Sequence, residues 1–241
     1  GDRPSGSSDP YALRRAGNGL LQILWSKGWR LNLLALLQRA TNHWSKLLPH
    51  LKVTPSTLAA ELGEFLRQRM LSLLEEAGTD TDLAQAVAGE TVLIDRLLSD
   101  PADARLRVDL LVRMRRTGKL LAVQAVVTRA ARLAEKGDLP ATVLSAAEVV
   151  DPGLFEKPSE LEMLKVLEAL EPITKDSSSE RYRHLADGLI AGSEALAAFF
   201  DGDQSVMVMS EDLAVRANRL NLLSLLRNQA GVLADFSQIS G

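Results

Sequence analysis

Apolar side chains recur every three or four positions along most of the chain, which is the spacing of amphipathic α-helices. The longest such run follows Thr54-Pro55, a favourable N-cap with proline at the first helical position, and it ends at Gly78. Its apolar positions form one stripe, which consists of Leu58, Leu62, Phe65, Leu66, Met70, Leu73 and Leu74. The pattern predicts an all-α fold, a multi-helix bundle whose helices are joined by short loops.

Proline, aspartate and glycine mark the ends of the other predicted helices. The segment from Val206 to Met209 alternates like a strand, but no partner strand is predicted, so we expect an extended connector. Asp212 then caps the final helix. The remaining predicted helices run from Asp9-Pro10 to Trp25, over about 30–48, 81–88, 90–98, 100–117, 119–136, 138–150 and 159–171, and from the polar 175–180 loop to about Phe200.

The composition is that of a globular protein, since 46% of the 241 residues are hydrophobic and 24% are charged, which argues against disorder. No apolar run approaches the roughly 20 residues that span a bilayer. The chain contains no cysteine and only three scattered histidines, so no thiolate or histidine metal site is predicted. We expect a cytoplasmic protein with no membrane partner.

Charge is distributed unevenly along the chain. Residues 1–150 contain 20 basic and 16 acidic side chains, a net charge of +4, whereas residues 151–241 contain 8 and 15, a net charge of −7. Because phosphate contacts need Lys or Arg, a polyanion should approach the first part more readily. A solvated helical surface with mixed charge has the same pattern, so charge alone leaves both interpretations open.

Motifs for catalysis are absent from the sequence. There is no glycine-rich phosphate loop, no His-Glu-x-x-His pair, and no Ser or Cys nucleophile with a recognisable helper. The carboxylate pairs Glu75-Glu76 and Glu211-Asp212 lie at predicted helix ends, where solvent or the helix dipole accounts for them. We therefore expect no active site in this chain.

Arginines are the candidate binding residues, since a guanidinium donates several hydrogen bonds to a phosphate. Those of the predicted 100–117 helix do not form one stripe, because at about 100° per residue only Arg105, Arg116 and, more loosely, Arg113 share a broad face. We expect some of these arginines to be exposed to solvent without binding a ligand. The candidate nucleic-acid contacts are Arg67, Arg69, Arg105, Arg113, Arg116, Arg129, Arg132 and Arg216.

The final predicted helix contains Arg216 and Arg219 three positions apart, on either side of Asn218. Arg219 lies close to a leucine-rich face, where an arginine can pair with a half-buried acid such as Asp201. We therefore assign structural roles to Arg219, Asp201 and Asn218, and a binding role to Arg216. Aromatic residues make up 4% of the chain, which argues against a surface built on extensive base stacking.

Segments along nearly the whole chain resemble, in order, the β subunit of bacterial glycyl-tRNA synthetase. They include residues 4–16, where Tyr11 replaces the usual Phe of the family, and the tail that begins with Phe199-Phe200. Two further departures are a longer connector from Gly202 to Ser205, and Leu213 where the family often has Pro. The other matching segments are 65–69, 82–87, 128–133 and 151–156.

The resemblance implies two domains: residues 1–52 as the terminal helices of an HD-like domain, and residues 53–241 as a helical anticodon-binding domain of the DALR type. It also implies a C-terminal fragment, without a catalytic site, metal or cofactor of its own, that helps a glycine-tRNA ligase to select tRNA-Gly. The expected partners are that tRNA, the rest of the β subunit and the α subunit. ATP and Mg²⁺ are expected at the α subunit of the holoenzyme.

Two other classes of function stay open. The chain could be a helical scaffold that braces the β subunit or docks on the α subunit, with little RNA contact of its own. Its acidic second part favours this alternative. An independent all-α enzyme would need a cluster of acids or histidines in one cleft, and the sequence displays no such cluster.

Overall fold

The computed structural model describes residues 9, 12–50 and 53–240, and this part of the chain contains eleven α-helices, two 3₁₀ turns and no strand. The predicted all-α class is therefore confirmed. The helices are α1 Leu13–Lys27, α2 Leu33–Leu47, α3 Pro55–Glu76, α4 Thr81–Ala88, α5 Ile94–Ser99, α6 Pro101–Arg116, α7 Lys119–Ala134, α8 Pro158–Lys175, α9 Arg181–Ala191, α10 Ser193–Ala198 and α11 Leu213–Gly231. The 3₁₀ turns are Pro152–Leu154 and Phe236–Gln238.

The chain divides into two compact units, and the division falls inside α6. Unit 1 is Gly1–Asp109 and unit 2 is Leu110–Gly241. The boundary predicted between residues 52 and 53 lies between α2 and α3, within unit 1. The assignment of residues 1–52 and 53–241 to two different domains stays a prediction.

Helix α3 is the centre of unit 1, where it packs against α1, α2, α4 and α5. Its predicted start is confirmed, because the Thr54 hydroxyl accepts a hydrogen bond of 3.2 Å from the Thr57 N–H. Helix α1 approaches α3 closely at Gly17, where a Cβ would lie 3.0 Å from the Phe65 ring. Pro10, predicted to open the first helix, lies outside the described residues.

Helix α11 is the centre of unit 2, where it packs against α7 and α8. The predicted cap is confirmed, since the Asp212 carboxylate accepts from the N–H groups of Ala214 and Val215 at 2.8 and 3.1 Å. Its buried side chains lie on nearly every face and include five leucines, which a central helix requires. Its buried polar side chains are equally numerous, and they determine the structure of a neighbouring loop.

The helix predicted over 138–150 is wrong, because this segment consists of turns and irregular backbone. The carbonyl groups that an isolated helix would pair internally are bonded instead by side chains of α11. Asn228 donates to the carbonyls of Pro140 and Val143 at 2.8 Å, and Gln229 donates to that of Leu144 at 2.8 Å. Satisfied backbone acceptors remove the drive to form a helix, so contacts with α11 override the local sequence preference.

The single long helix predicted to end near Phe200 is also wrong, because α9 and α10 are separated at Gly192. Two glycines, Gly188 and Gly192, face α8 at close range. A Cβ at either position would lie 2.6 Å from a side-chain carbon of Leu170 or Val166. Glycine is required for this approach, and it also weakens helix propagation at the same point.

Candidate nucleic-acid interface

Arg67 of α3, a predicted nucleic-acid contact, is buried in unit 1 with 3% of its surface exposed. Its Nε donates to the Glu64 carboxylate at 2.9 Å, and its Nη1 donates to the backbone carbonyls of Ala88 and Gly89. These bonds connect α3 to the end of α4. Burial leaves no guanidinium surface for a phosphate, so the prediction of an RNA contact at Arg67 is replaced by a structural role.

The two other candidates of unit 1, Arg69 and Arg105, are half-buried. The Arg69 guanidinium carbon lies 5.9 Å from the centre of the Phe65 ring. Arg105 pairs with Asp109 at 3.0 Å, and its guanidinium carbon lies 5.6 Å from the centre of the Trp25 ring. Both cations therefore have partners within unit 1, which reduces what they offer to a phosphate.

Arg219 of α11 is the buried arginine of unit 2. Its Nε donates to Glu160 at 2.8 Å, one Nη donates to Glu156 at 2.7 Å, and the other donates to the Met207 carbonyl at 3.1 Å. Glu160 is fully buried. Arg219 thus connects α11 to the start of α8 and to the 202–212 connector. The structural role predicted for Arg219 agrees with this geometry, but its acids are Glu160 and Glu156, not Asp201.

The charges of this cluster stabilise each other. Burial alone would raise the pKa of Glu160, but the hydrogen bond from Arg219 and the N–H groups of Glu156 and Lys157 outweigh it and hold the pKa below its usual value. Burial likewise opposes the charge of Arg219, but Glu160 and Glu156 raise the pKa of its guanidinium. Both groups therefore stay ionised, and the cluster has no cation left for a ligand.

Asn218 and Asp201 also make defined contacts within unit 2. The Asn218 amide accepts from the Asp151 N–H at 2.8 Å and donates to the Asp151 carbonyl at 2.9 Å, which fixes the loop before the first 3₁₀ turn. Asp201 pairs with Arg129 of α7 at 2.8 Å, and this corrects the predicted pairing with Arg219. The Arg129 guanidinium carbon also lies 4.6 Å from the centre of the Phe200 ring.

The end of α6 and the whole of α7 form a strongly basic stretch of unit 2. Residues 110–136 contain seven basic side chains and one acidic side chain, Glu135, which gives a net charge of +6. Arg113, Arg116 and Arg132 are exposed, and none of the three forms an ion pair within the described ranges. An unpaired exposed guanidinium is what a phosphate contact requires.

One exposed face of α7, continued into the turn that follows the helix, contains three cations. Arg129, Arg132 and Lys136 are three and four positions apart, a spacing that places them on the same side of a helix and of the turn that follows it. Arg129 is held by Asp201, whereas Arg132 and Lys136 have no acid partner in the part of the chain that the structure describes. Sequence reasoning missed Lys136, although its spacing from Arg132 would have identified it.

Lys136 and Arg216 line a shallow depression of about 480 Å³ in unit 2. Its walls are the loop that follows α7 and the first turns of α11. The depression brings Arg216 together with the basic end of α7, which no sequence spacing could indicate because 80 residues separate the two segments.

Among the described residues there is no group of three or more His, Cys, Asp or Glu side chains that could bind a metal ion. Over the same ranges, no helix is long and apolar enough to cross a membrane.

Comparison with known proteins gives a consistent family. A model of the family described as the glycyl-tRNA synthetase beta subunit matches residues 1–89. The glycine-tRNA ligase beta subunit of Acaryochloris marina is 45% identical over 239 residues, 98% of this chain and 33% of the relative. That of Trichodesmium erythraeum is 42% identical over 240 residues, with the same shares.

A more distant relative extends the same match. The glycine-tRNA ligase beta subunit of Syntrophotalea carbinolica is 33% identical over 240 residues, which are 98% of this chain and 32% of the relative. The chain thus spans about a third of the length of these curated relatives. Since the matches cover almost all of the chain and agree in name, the chain belongs to the glycyl-tRNA synthetase beta-subunit family.

Proposed function

We propose that this chain is the tRNA-recognition region of a glycine-tRNA ligase β subunit, and that unit 2 binds the anticodon arm of tRNA-Gly. The observation that supports the proposal is the surplus of exposed, unpaired arginines in the basic stretch 110–136. Cations without acid partners gain free energy when counterions leave a bound phosphate backbone. Membership of the glycyl-tRNA synthetase beta-subunit family supports tRNA-Gly as the RNA in this proposal.

The chemistry of the whole ligase is part of the same proposal. Attachment of glycine to its tRNA would use ATP and Mg²⁺ at the α subunit, and this chain would contribute affinity and selection through RNA contacts. Single-stranded loops are the part of an RNA whose bases a protein can read directly, so a basic surface beside a helical platform suits an anticodon arm.

Binding of the 241-residue chain to tRNA-Gly across a salt series tests the proposal. The decisive variant replaces Arg113, Arg116 and Arg132 with Ala; its matched control replaces Arg39, Lys165 and Arg183, three exposed cations outside the basic stretch. We expect the first variant to bind more weakly and with a shallower salt dependence, by about one unit of slope for each lost phosphate contact. Equal loss in both variants would instead indicate binding by net charge alone.

The same assay with altered anticodon bases tests selection. If the chain reads the anticodon arm, base changes there should weaken binding at every salt concentration. Affinity that is unchanged by the base substitutions but reduced by the arginine substitutions would limit the chain to positioning the RNA backbone.

A protein-binding scaffold is the second candidate, and the exposed apolar surface of unit 1 favours it. On α2, the side chains of Leu36, Trp44 and Leu47 lie on one face and are 42%, 57% and 64% exposed. Exposed apolar patches of this kind often mark contacts with another protein. The remaining β-subunit residues and the α subunit are the proposed partners, and co-purification with them, weakened by Trp44→Ser, would support this role.

A further inference from the structure

The depression between the end of α7 and the start of α11 has fixed walls. The Gly137 backbone lies against α11, where an added Cβ would come within 3.1 Å of the Leu220 Cβ. The following loop is fixed by Arg227, which donates to the Leu139 carbonyl at 3.2 Å, and by Asn228, which donates to the Pro140 carbonyl at 2.8 Å. These contacts hold the loop that forms one wall of the depression against α11, which forms the other.

The size and lining of the depression suit a small, partly polar ligand. Its volume of about 480 Å³ lies within the range of roughly 300–1,000 Å³ that is usual for small-molecule sites. Pro140, Leu213 and Leu220 form apolar walls. Leu213, the first residue of α11, is 67% exposed, so its side chain is accessible to a ligand.

The polar groups of the depression are of two kinds. Lys136 and Arg216 supply positive charge, and neither forms an ion pair in the described segments. Asp138 and Asn221 supply acceptors: the Asn221 amide nitrogen donates to the Val149 carbonyl at 2.7 Å, and its Oδ1 has no donor among the described residues. A ligand with an anionic end and a hydrogen-bond donor on an apolar ring matches this set.

We propose that the depression binds one unstacked nucleotide of a single-stranded RNA loop, and that it prefers a base with an exocyclic amino group. The phosphate would lie between Lys136 and Arg216, and the base would lie against Pro140 and Leu213. Asp138 would accept from the amino group, as carboxylates do from the N4 amino group of cytosine. Uracil has no such group. The inference rests on the proposed function and specifies a nucleotide-binding site within it.

Fluorescence anisotropy with labelled oligocytidine and oligouridine of equal length tests the inference. The wild-type chain is expected to bind oligocytidine about tenfold more tightly, the effect of one good hydrogen bond to a base edge. Asp138→Ala should abolish this preference while binding of oligouridine is retained. Lys136→Ala and Arg216→Ala should each weaken binding of both strands, whereas Arg183→Ala, an exposed cation on α9, should not.

The possible outcomes separate the two proposals. Binding of tRNA-Gly without a preference for oligocytidine, or a preference that survives Asp138→Ala, would overturn the nucleotide site and leave the proposed function standing. Failure to bind tRNA-Gly would overturn both. Photo-crosslinking of a 5-iodocytidine strand, which keeps the amino group, to peptides 136–140 or 213–221 is the expected positional result, and crosslinks confined to other peptides would contradict it. Circular dichroism spectra of the variants should match the wild type, because none of the replaced side chains is buried.

Discussion

Unit 1 and unit 2 use arginine differently. In unit 1 the three candidate arginines, Arg67, Arg69 and Arg105, are buried or half-buried and each has a carboxylate or an aromatic ring as a partner. In unit 2, Arg113, Arg116 and Arg132 are exposed and have no acid partner among the described residues. Among these candidates, the arginines of unit 1 thus contact other groups of their own unit, whereas the three of unit 2 are available to a ligand.

Arg67 and Arg219, two of the buried arginines, show a second difference. Arg67 has one acid partner, Glu64, whose side chain is 56% exposed, and its other partners are backbone carbonyls. Arg219 has two acid partners, and one of them, Glu160, is completely buried. Removal of an arginine is most costly where it leaves a buried charge behind, so the two sites should respond unequally to the same substitution.

Arg219→Met is expected to have the largest effect on stability. The substitution leaves the Glu160 carboxylate buried without a cation, which typically costs about 3–5 kcal/mol. Urea unfolding of the variant, followed by circular dichroism, measures the loss. The double variant Arg219→Met with Glu160→Gln should be more stable than the single variant, since the unpaired charge is then removed; an equally unstable double variant would show that charge is not the cause.

Arg67→Met is expected to cost less, about 1–3 kcal/mol. Glu64 can turn to solvent when its partner is lost, so the main loss is the hydrogen bonding of the Ala88 and Gly89 carbonyls. The same unfolding experiment measures it. A loss in free energy equal to that of Arg219→Met would contradict the distinction between the two sites.

The pH dependence of stability should identify Glu160 as well. Its pKa in the folded protein is lower than the ordinary value of 4.5, so its contribution is fully present above about pH 4.5 and is lost as the pH falls through the lowered pKa. Glu160→Gln lacks this contribution. The stability difference between the wild type and the variant should therefore narrow below about pH 4.5, whereas a constant difference would rule out the ionised Glu160 as its source.

Individual residues show which structural features can be predicted from the sequence alone. Helix ends with local signals were predicted well: Thr54 caps α3 and Asp212 caps α11, because a cap depends on residues within one turn. The irregular structure of residues 138–150 was not predicted, since side chains of α11, some 80 residues away, bind the carbonyl groups of this segment. Exposure could not be predicted either, because Arg67 lies in the same kind of amphipathic pattern as any surface arginine.

The ion-pair partners of charged residues could not be predicted from the sequence either. Asp201 was named as one acid with which Arg219 could pair, and Arg219 is closer in sequence, but Asp201 pairs with Arg129 of α7. The acids of Arg219 come from the start of α8. Pairing of this kind depends on how helices pack, and a single sequence contains no record of packing. The net charge of residues 110–136 can be counted from the sequence. The exposure of Arg113, Arg116 and Arg132 within this stretch follows only from the fold.

Arg132→Ala tests whether an exposed, unpaired arginine of unit 2 contributes to RNA binding. It should leave stability almost unchanged, because an exposed side chain without a partner contributes little. Affinity for tRNA-Gly should fall about three- to tenfold. The slope of log affinity against log salt concentration should become shallower by about one unit, which corresponds to the loss of one phosphate contact. Titration at several salt concentrations measures both quantities. An unchanged slope would exclude Arg132 from contact with the RNA backbone.

Arg105→Ala is expected to have the smallest effect, and it tests the other side of the comparison. The Asp109 pair is partly solvated and the Trp25 contact is modest, so stability should fall by less than about 1 kcal/mol. Because Arg105 already has partners in unit 1, its loss should not change the affinity for tRNA-Gly or its salt dependence. Side-by-side titration with Arg132→Ala provides the matched control, since both variants lose one positive charge. If Arg105→Ala weakened binding as much as Arg132→Ala, then partnered arginines would bind RNA as well as unpartnered ones, and the division between the two units would fail.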